Sequence, residues 1–199
     1  GFPCPPKPIP HAGPNLAFGC FTDTNGVVIS PRHGGVAFGA NGGTHDVSVI
    51  DVTKALANAP GAEIGRIPVG TGPWGIAVSP DGAWVATANR ENARVDAEGN
   101  HVSLISVDKA FAGAKDAEAA RFIVGTNNPS AASRPFAVAF TPDGKTLLVS
   151  NFRANNLSFV DVEKALAGGL GAEVTRLALA TPDGRPSRPR GIAITPDGK

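Results

Sequence analysis

One block of residues returns three times along this chain at a constant spacing of 55, and nothing else restricts its fold as much. Val47-Ser48-Val49-Ile50-Asp51-Val52 reappears as Val102-Ser103-Leu104-Ile105-Ser106-Val107, then as Leu157-Ser158-Phe159-Val160-Asp161-Val162. Each copy runs on into Lys-Ala-Leu or Lys-Ala-Phe, beginning at Lys54, Lys109 and Lys164. A glutamate follows at Glu63, Glu118 and Glu173, and an arginine at Arg66, Arg121 and Arg176. A fixed period of this length means that one supersecondary unit is stacked on copies of itself. A Glu/Arg pair present in every copy therefore belongs to the unit's architecture and not to a unique site.

A second block enters each unit. Pro73-Trp74-Gly75-Ile76-Ala77-Val78-Ser79-Pro80-Asp81-Gly82 is echoed from Pro135 to Gly144 and from Pro189 to Gly198, with a degenerate copy from Val28 to Gly34. Pro-Asp-Gly is a turn: proline presets φ, aspartate bonds locally, and glycine takes positive φ without a steric cost. Each unit then reads as four short strands, with an Ala-rich helical turn between the third and fourth. Four antiparallel strands per unit, repeated radially, are the pattern of an all-β propeller. The expected blades cover about 27–72, 73–134 and 135–188, with the next beginning at 189–199; residues 1–26 form a Pro-rich N-terminal segment. At 55 residues per blade the chain holds about three and a half blades, and rings close with roughly four to eight. Further blades are expected from the rest of a longer chain or from another subunit, because an unpartnered innermost strand exposes a reactive edge.

The phrase Gly-Ile-Ala-Val-Ser-Pro-Asp-Gly, then Ala/Ser-Asn, a gap and Val-Ser-Val-Ile-Asp, resembles the YVTN-type β-propeller repeat over residues 27–199. That family occurs in exported bacterial and archaeal proteins and in surface layers. The chain has no tyrosine, so the namesake tetrapeptide stands as Leu148-Val149-Ser150-Asn151 or Val85-Ala86-Thr87-Ala88-Asn89. Its units are also lengthened by the Ala-rich stretch. The resemblance implies a fold and leaves the activity open. Similar propellers include lactone hydrolases and quinone-dependent amine dehydrogenase subunits, and related rings hold haem d1 or copper.

A formal charge of +1 supplies no general field for nucleic acid, and no apolar run reaches the length of a membrane span. Cys4 and Cys20 are an even pair outside the repeats. They point to a local disulfide in an exported protein, periplasmic or extracellular; the alternative is two unpaired thiols in a cytosolic chain. The chain carries no nucleophile-elbow, zinc-protease, phosphate-loop or haem-attachment motif, and no cofactor is predicted.

What varies between units lies in the loops joining strands two to three and the loops joining successive units, which open on one face. That face collects His45, Arg90, Arg94, His101, Arg134, Arg153, Arg188 and Arg190. Loops are polar because they are wet. Beyond that, arginine and histidine gathered at a channel mouth suit an acidic ligand or protein partner. His45 and His101, one residue out of register under the 55 spacing, are also weak metal candidates. Trp74, Phe136 and Arg190 share one position after the proline that enters each unit; the two aromatics are expected between blades, and Arg190 is the odd member. The leading expectation is a binding propeller acting through its loop-rich face. The alternative is an enzyme or redox subunit with its site at the same mouth.

Overall fold

The computed structural model describes residues 23–91 and 98–198. Among them are twelve strands, three short α-helices and one 3-10 turn (Arg32–Gly34) in the order the repeat requires. β1 (Thr24–Ser30), β2 (Val36–Asn41), β3 (Asp46–Asp51) and β4 (Glu63–Pro68) form one antiparallel sheet in sequence order. β5 (Pro73–Val78), β6 (Trp84–Glu91), β7 (Glu98–Ser106) and β8 (Glu118–Ile123) form the second. β9 (Pro135–Phe140), β10 (Thr146–Asn151), β11 (Asn156–Asp161) and β12 (Glu173–Ala178) form the third. These are three propeller blades.

The recurring motif residues have specific mechanical roles. Val-Ile-Asp carries the third strand into α1 (Val52–Leu56), where Asp51 caps the helix by accepting the Lys54 N–H at 3.0 Å. Asp161 does the same for α3 (Val162–Leu166), and Ser106 for α2 (Val107–Phe111) at 3.4 Å. In the Ser/Thr-Pro-Asp-Gly turns the Asp81 carboxylate accepts from Ser79 Oγ and from the Ala83 N–H, and Asp143 repeats this with Thr141 and Lys145. A further Thr-Pro-Asp-Gly at Thr181–Gly184, outside the repeat register, builds the same closed turn.

The apolar core lies between blades. Val36, Phe38, Val47 and Val49 of the first blade pack with Val85, Ile105 and Val107 of the second. Ala86, Val102 and Leu104 from the second blade's other face pack with Val138, Phe140, Leu147, Val149 and Val160 of the third. β1, β5 and β9 are the innermost strands and approach closely: a Cβ on Gly75 would stand 2.4 Å from the Phe136 carbonyl oxygen. Residues 189–198 continue the series beside β9. Ser150 Oγ donates to the Arg190 carbonyl at 3.2 Å, and Gly198 sits against Pro142 as Gly144 sits against Pro80 and Gly82 against Pro31.

A polar relay crosses the first and third blades. Asn41 Nδ2 donates to Ser48 Oγ (2.8 Å), Ser48 Oγ to Glu63 (2.8 Å), and Arg66 Nε to Glu63 (2.8 Å). In the third blade Asn151, Ser158, Glu173 and Arg176 form the same chain. The Glu/Arg repeat is thus architectural: it lets a buried serine and asparagine keep their hydrogen bonds. Among the described residues no helix is long and apolar enough to cross a membrane. Cys4, Cys20 and Arg94 lie outside the described residues.

Candidate functional site

Three side-chain positions recur at the mouth, where the inner strands begin. The residue after the buried asparagine at or near the end of the second strand is Gly42, Arg90 or Phe152; the residue after the proline that opens the first strand is Trp74, Phe136 or Arg190. The residue before that proline is Gly72, Arg134 or Arg188, at φ of 62°, 53° and 47°. The same backbone shape therefore recurs with glycine, aromatic and arginine exchanged among its positions.

That exchange builds a stack. Trp74, Phe136 and Phe152 form a row with ring centroids 5.5 Å and 6.1 Å apart. The Arg90 guanidinium lies 4.4 Å from the Trp74 ring and 5.4 Å from Phe136. Arg190 lies 5.7 Å from Phe136 and 5.1 Å from Phe152; Arg134 and Arg188 lie 5.5 Å and 5.9 Å from Phe152. Three guanidinium groups thus surround one ring, any two of them within twice 5.9 Å. Each cation–π contact contributes about 0.5–1 kcal/mol where exposed and more where water is displaced. Stacking occupies the face of a guanidinium and leaves its edge, with the N–H donors, available for an oxyanion. Glu91 is the acidic neighbour, 3.7 Å from Arg90 and 3.8 Å from Arg134. Arg188 and Arg190 are exposed and pair with no carboxylate among the described residues.

Four of the sequence candidates, Arg90, Arg134, Arg188 and Arg190, are brought together. Arg190, the odd member after the proline, is the link between Phe136 and Phe152. Arg153 is exposed beside this group, with its N–H donated to the Ser133 carbonyl. The histidines go elsewhere, and not to equivalent places. His45 sits in a loop at φ 61°, its carbonyl accepting the Val69 N–H and its Nδ1 the Gly72 N–H at 3.2 Å. The carbonyls of Asn100 and Asn155 accept at the matching points, so His45 corresponds to those residues. His101 instead pairs with Asn89 across β6 and β7, where Asp46 and Asn156 stand in the other blades. Burial first, and then the charge of Arg121, hold the His101 pKa below its ordinary value against an opposing pull from Glu118. Among the described residues no three His, Cys, Asp or Glu side chains group as metal ligands.

Sequence reasoning missed the aromatic floor. Phe152 carries no signal of its own in the sequence, and Trp74 and Phe136 are expected there only as packing between blades. The available signal was the pairing of Arg134-Pro135-Phe136 with Arg188-Pro189-Arg190 at one repeat position. His33 is on the opposite face, stacked on Phe111 at 4.4 Å and bonded to Asp108 at 2.8 Å, which ties the first blade's degenerate turn to the second blade.

No protein-family model matches the chain, and no curated protein sequence matches it. Solved structures do. Hydrazine synthase of Kuenenia stuttgartiensis is 21% identical with a TM-score of 0.59, covering 86% of this chain and 43% of its own. Virginiamycin B lyase of Staphylococcus aureus is 16% identical at a TM-score of 0.57, covering 86% and 45%. A 6-phosphogluconolactonase-like protein of Bacteroides uniformis is 22% identical at 0.58, covering 87% and 44%. At these identities the likeness is one of fold: the chain is similar to β-propellers. It spans less than half the length of each of them.

Proposed function

We propose that this chain is part of an exported β-propeller that binds an acidic ligand or protein partner at the mouth of its central channel. The observation that carries the reading is the stack of Arg90, Arg134, Arg188 and Arg190 on Trp74, Phe136 and Phe152. Side chains that elsewhere in the repeat serve the fold are here replaced by cations with ordered planes, of which Arg188 and Arg190 are exposed. Such an arrangement is costly to assemble through mutual repulsion, which an incoming oxyanion relieves. Propeller membership of the YVTN type, and export, are parts of the same proposal; they draw on the repeat phrase and on Cys4 and Cys20.

Trp74 lies within the stack and serves as the reporter. Titration of the complete protein with citrate should change Trp74 fluorescence saturably, with an affinity that falls as salt rises. Replacing Arg188 and Arg190 together by serine should weaken binding at least about tenfold, or about 1.4 kcal/mol. Unchanged affinity in that double variant would sink the reading.

The competing reading, an enzyme or redox subunit at the same mouth, has its support in the names of two of the structural neighbours, a synthase and a lyase. Metal content and an absorption spectrum of the purified complete protein separate the two. A stoichiometric metal or chromophore lost on substituting mouth residues favours the enzyme.

A further inference from the structure

The second blade departs from its sisters at one point, and a cleft opens there. In the third blade the linker glycine, Gly125, is fully engaged. Its N–H is donated to Glu173 Oε1 at 2.9 Å and its carbonyl accepts Asn156 Nδ2 at 3.1 Å. Glu173 also accepts from Ser158 Oγ and from Arg176. One carboxylate thus fills a donor set of backbone N–H, hydroxyl and guanidinium.

In the second blade the corresponding glycine is Gly70, 55 residues earlier and packed on Asn89 as Gly125 packs on Asn151. The residue corresponding to Asn156 is His101. Glu118, which corresponds to Glu173, holds Arg121 by the same two-point bond that Glu173 makes with Arg176, Nε to Oε1 at 2.9 Å and Nη2 to Oε2 at 2.7 Å, but among the described residues it takes no bond from Ser103 or from the Gly70 N–H. Among the described residues neither the Gly70 N–H nor either His101 ring nitrogen has a hydrogen-bond partner. The result is a cleft of about 200 Å³ lined by Gly70, Thr71, Asn89, Glu91, His101 and Arg121. The Glu91 carboxylate is engaged by Arg90 and Arg134 at the mouth, so the donors define the cleft's chemistry.

We propose that this cleft is a binding site for a small carboxylate, separate from the arginine stack. The ligand takes the place that the chain's own Glu173 carboxylate fills one blade further on. The Gly70 N–H donates to one oxygen, and the Thr71 hydroxyl and the His101 imidazole N–H donate to the rest. The Arg121 Nη1, the edge that Glu118 does not use, supplies the countercharge. The site is polar and large enough for a few heavy atoms. The third blade closes the equivalent space with the Asn156 side chain, bonded to the Gly125 carbonyl.

The test uses the complete, isotope-labelled protein, sodium acetate as probe and ionic strength held with chloride. The Gly70 amide proton should move downfield saturably. His101→Asn, which installs the residue that closes the third blade, should abolish that shift while leaving the melting temperature unchanged or raised. Arg121→Gln should weaken it severalfold. The Arg188→Ser, Arg190→Ser double variant should leave it intact, so failure at the mouth and failure here are distinguishable. A Gly70 amide that does not move overturns the proposal, as does one that drifts linearly with all exposed amides or responds equally in His101→Asn.

Discussion

Arg134 and Arg188 occupy a backbone conformation that ordinary side chains avoid. Both stand at positive φ immediately before proline, where the second blade uses Gly72. For a residue with a Cβ this costs roughly 1–2 kcal/mol. The surrounding bonds hold the conformation: the Arg134 N–H is donated to the Gly99 carbonyl, and the Arg134 carbonyl accepts the Phe152 N–H. Strain retained at a position that also places a guanidinium over Phe152 supports the proposed binding role. The usual ranking of alanine over glycine should therefore invert here. Arg134→Ala should be less stable than Arg134→Gly by about 1 kcal/mol in denaturant melts, and both should lose part of the citrate response. Equal stabilities would mean that the left-handed backbone does not survive in solution.

At the scale of the strand and blade, the repeated Glu/Arg pair is a stability device with a pH signature. Burial raises the Glu173 pKa, but hydrogen bonds from Arg176, Ser158 and the Gly125 N–H outweigh it and leave the carboxyl below its ordinary 4.5. A depressed carboxyl is protonated in the unfolded chain first. Its stabilisation is complete above pH 4.5 and is lost progressively as pH falls through the folded value. Glu173→Gln should be less stable than the parent at pH 7, and the difference should shrink as pH drops below 4.5. Chemical melts across that range check it, and a constant difference would place the relay's contribution elsewhere. In the second blade His101, at the position of Asn156, has no bonded partner among the described residues and lines an open cleft.

For the whole molecule the two ends of the stack matter most. Val27 and Ile29 on β1 are 61% and 56% exposed, and Val174 and Leu177 on β12 are 50% and 52% exposed. On the facing sides of the same sheets, equivalent apolar residues are buried between blades. We expect further blades, from a longer chain or another subunit, to cover both ends, as the position of residues 189–198 beside β9 anticipates. In the complete protein Ile29→Lys should then cost at least about 2 kcal/mol, because an unpaired charge enters an apolar contact. An unchanged melting temperature would show that this face meets water.

How much of this was legible in the sequence depended on whether a residue's role was local or shared between blades. The repeat determined the strand order, the Pro-Asp-Gly turns, the capped helices and the blade count, because each depends on neighbours within one unit and its fixed spacing. It also placed Arg90, Arg134, Arg188 and Arg190 on one face. The tertiary structure alone decided that they converge on Phe152, since that ring and its cations come from different blades and a linker. It alone separated His45 from His101, because strand register and not residue count sets which positions correspond. The His101 cleft was invisible in one dimension for the same reason. A site made by a missing hydrogen bond appears only when the partners that should have made it are seen side by side.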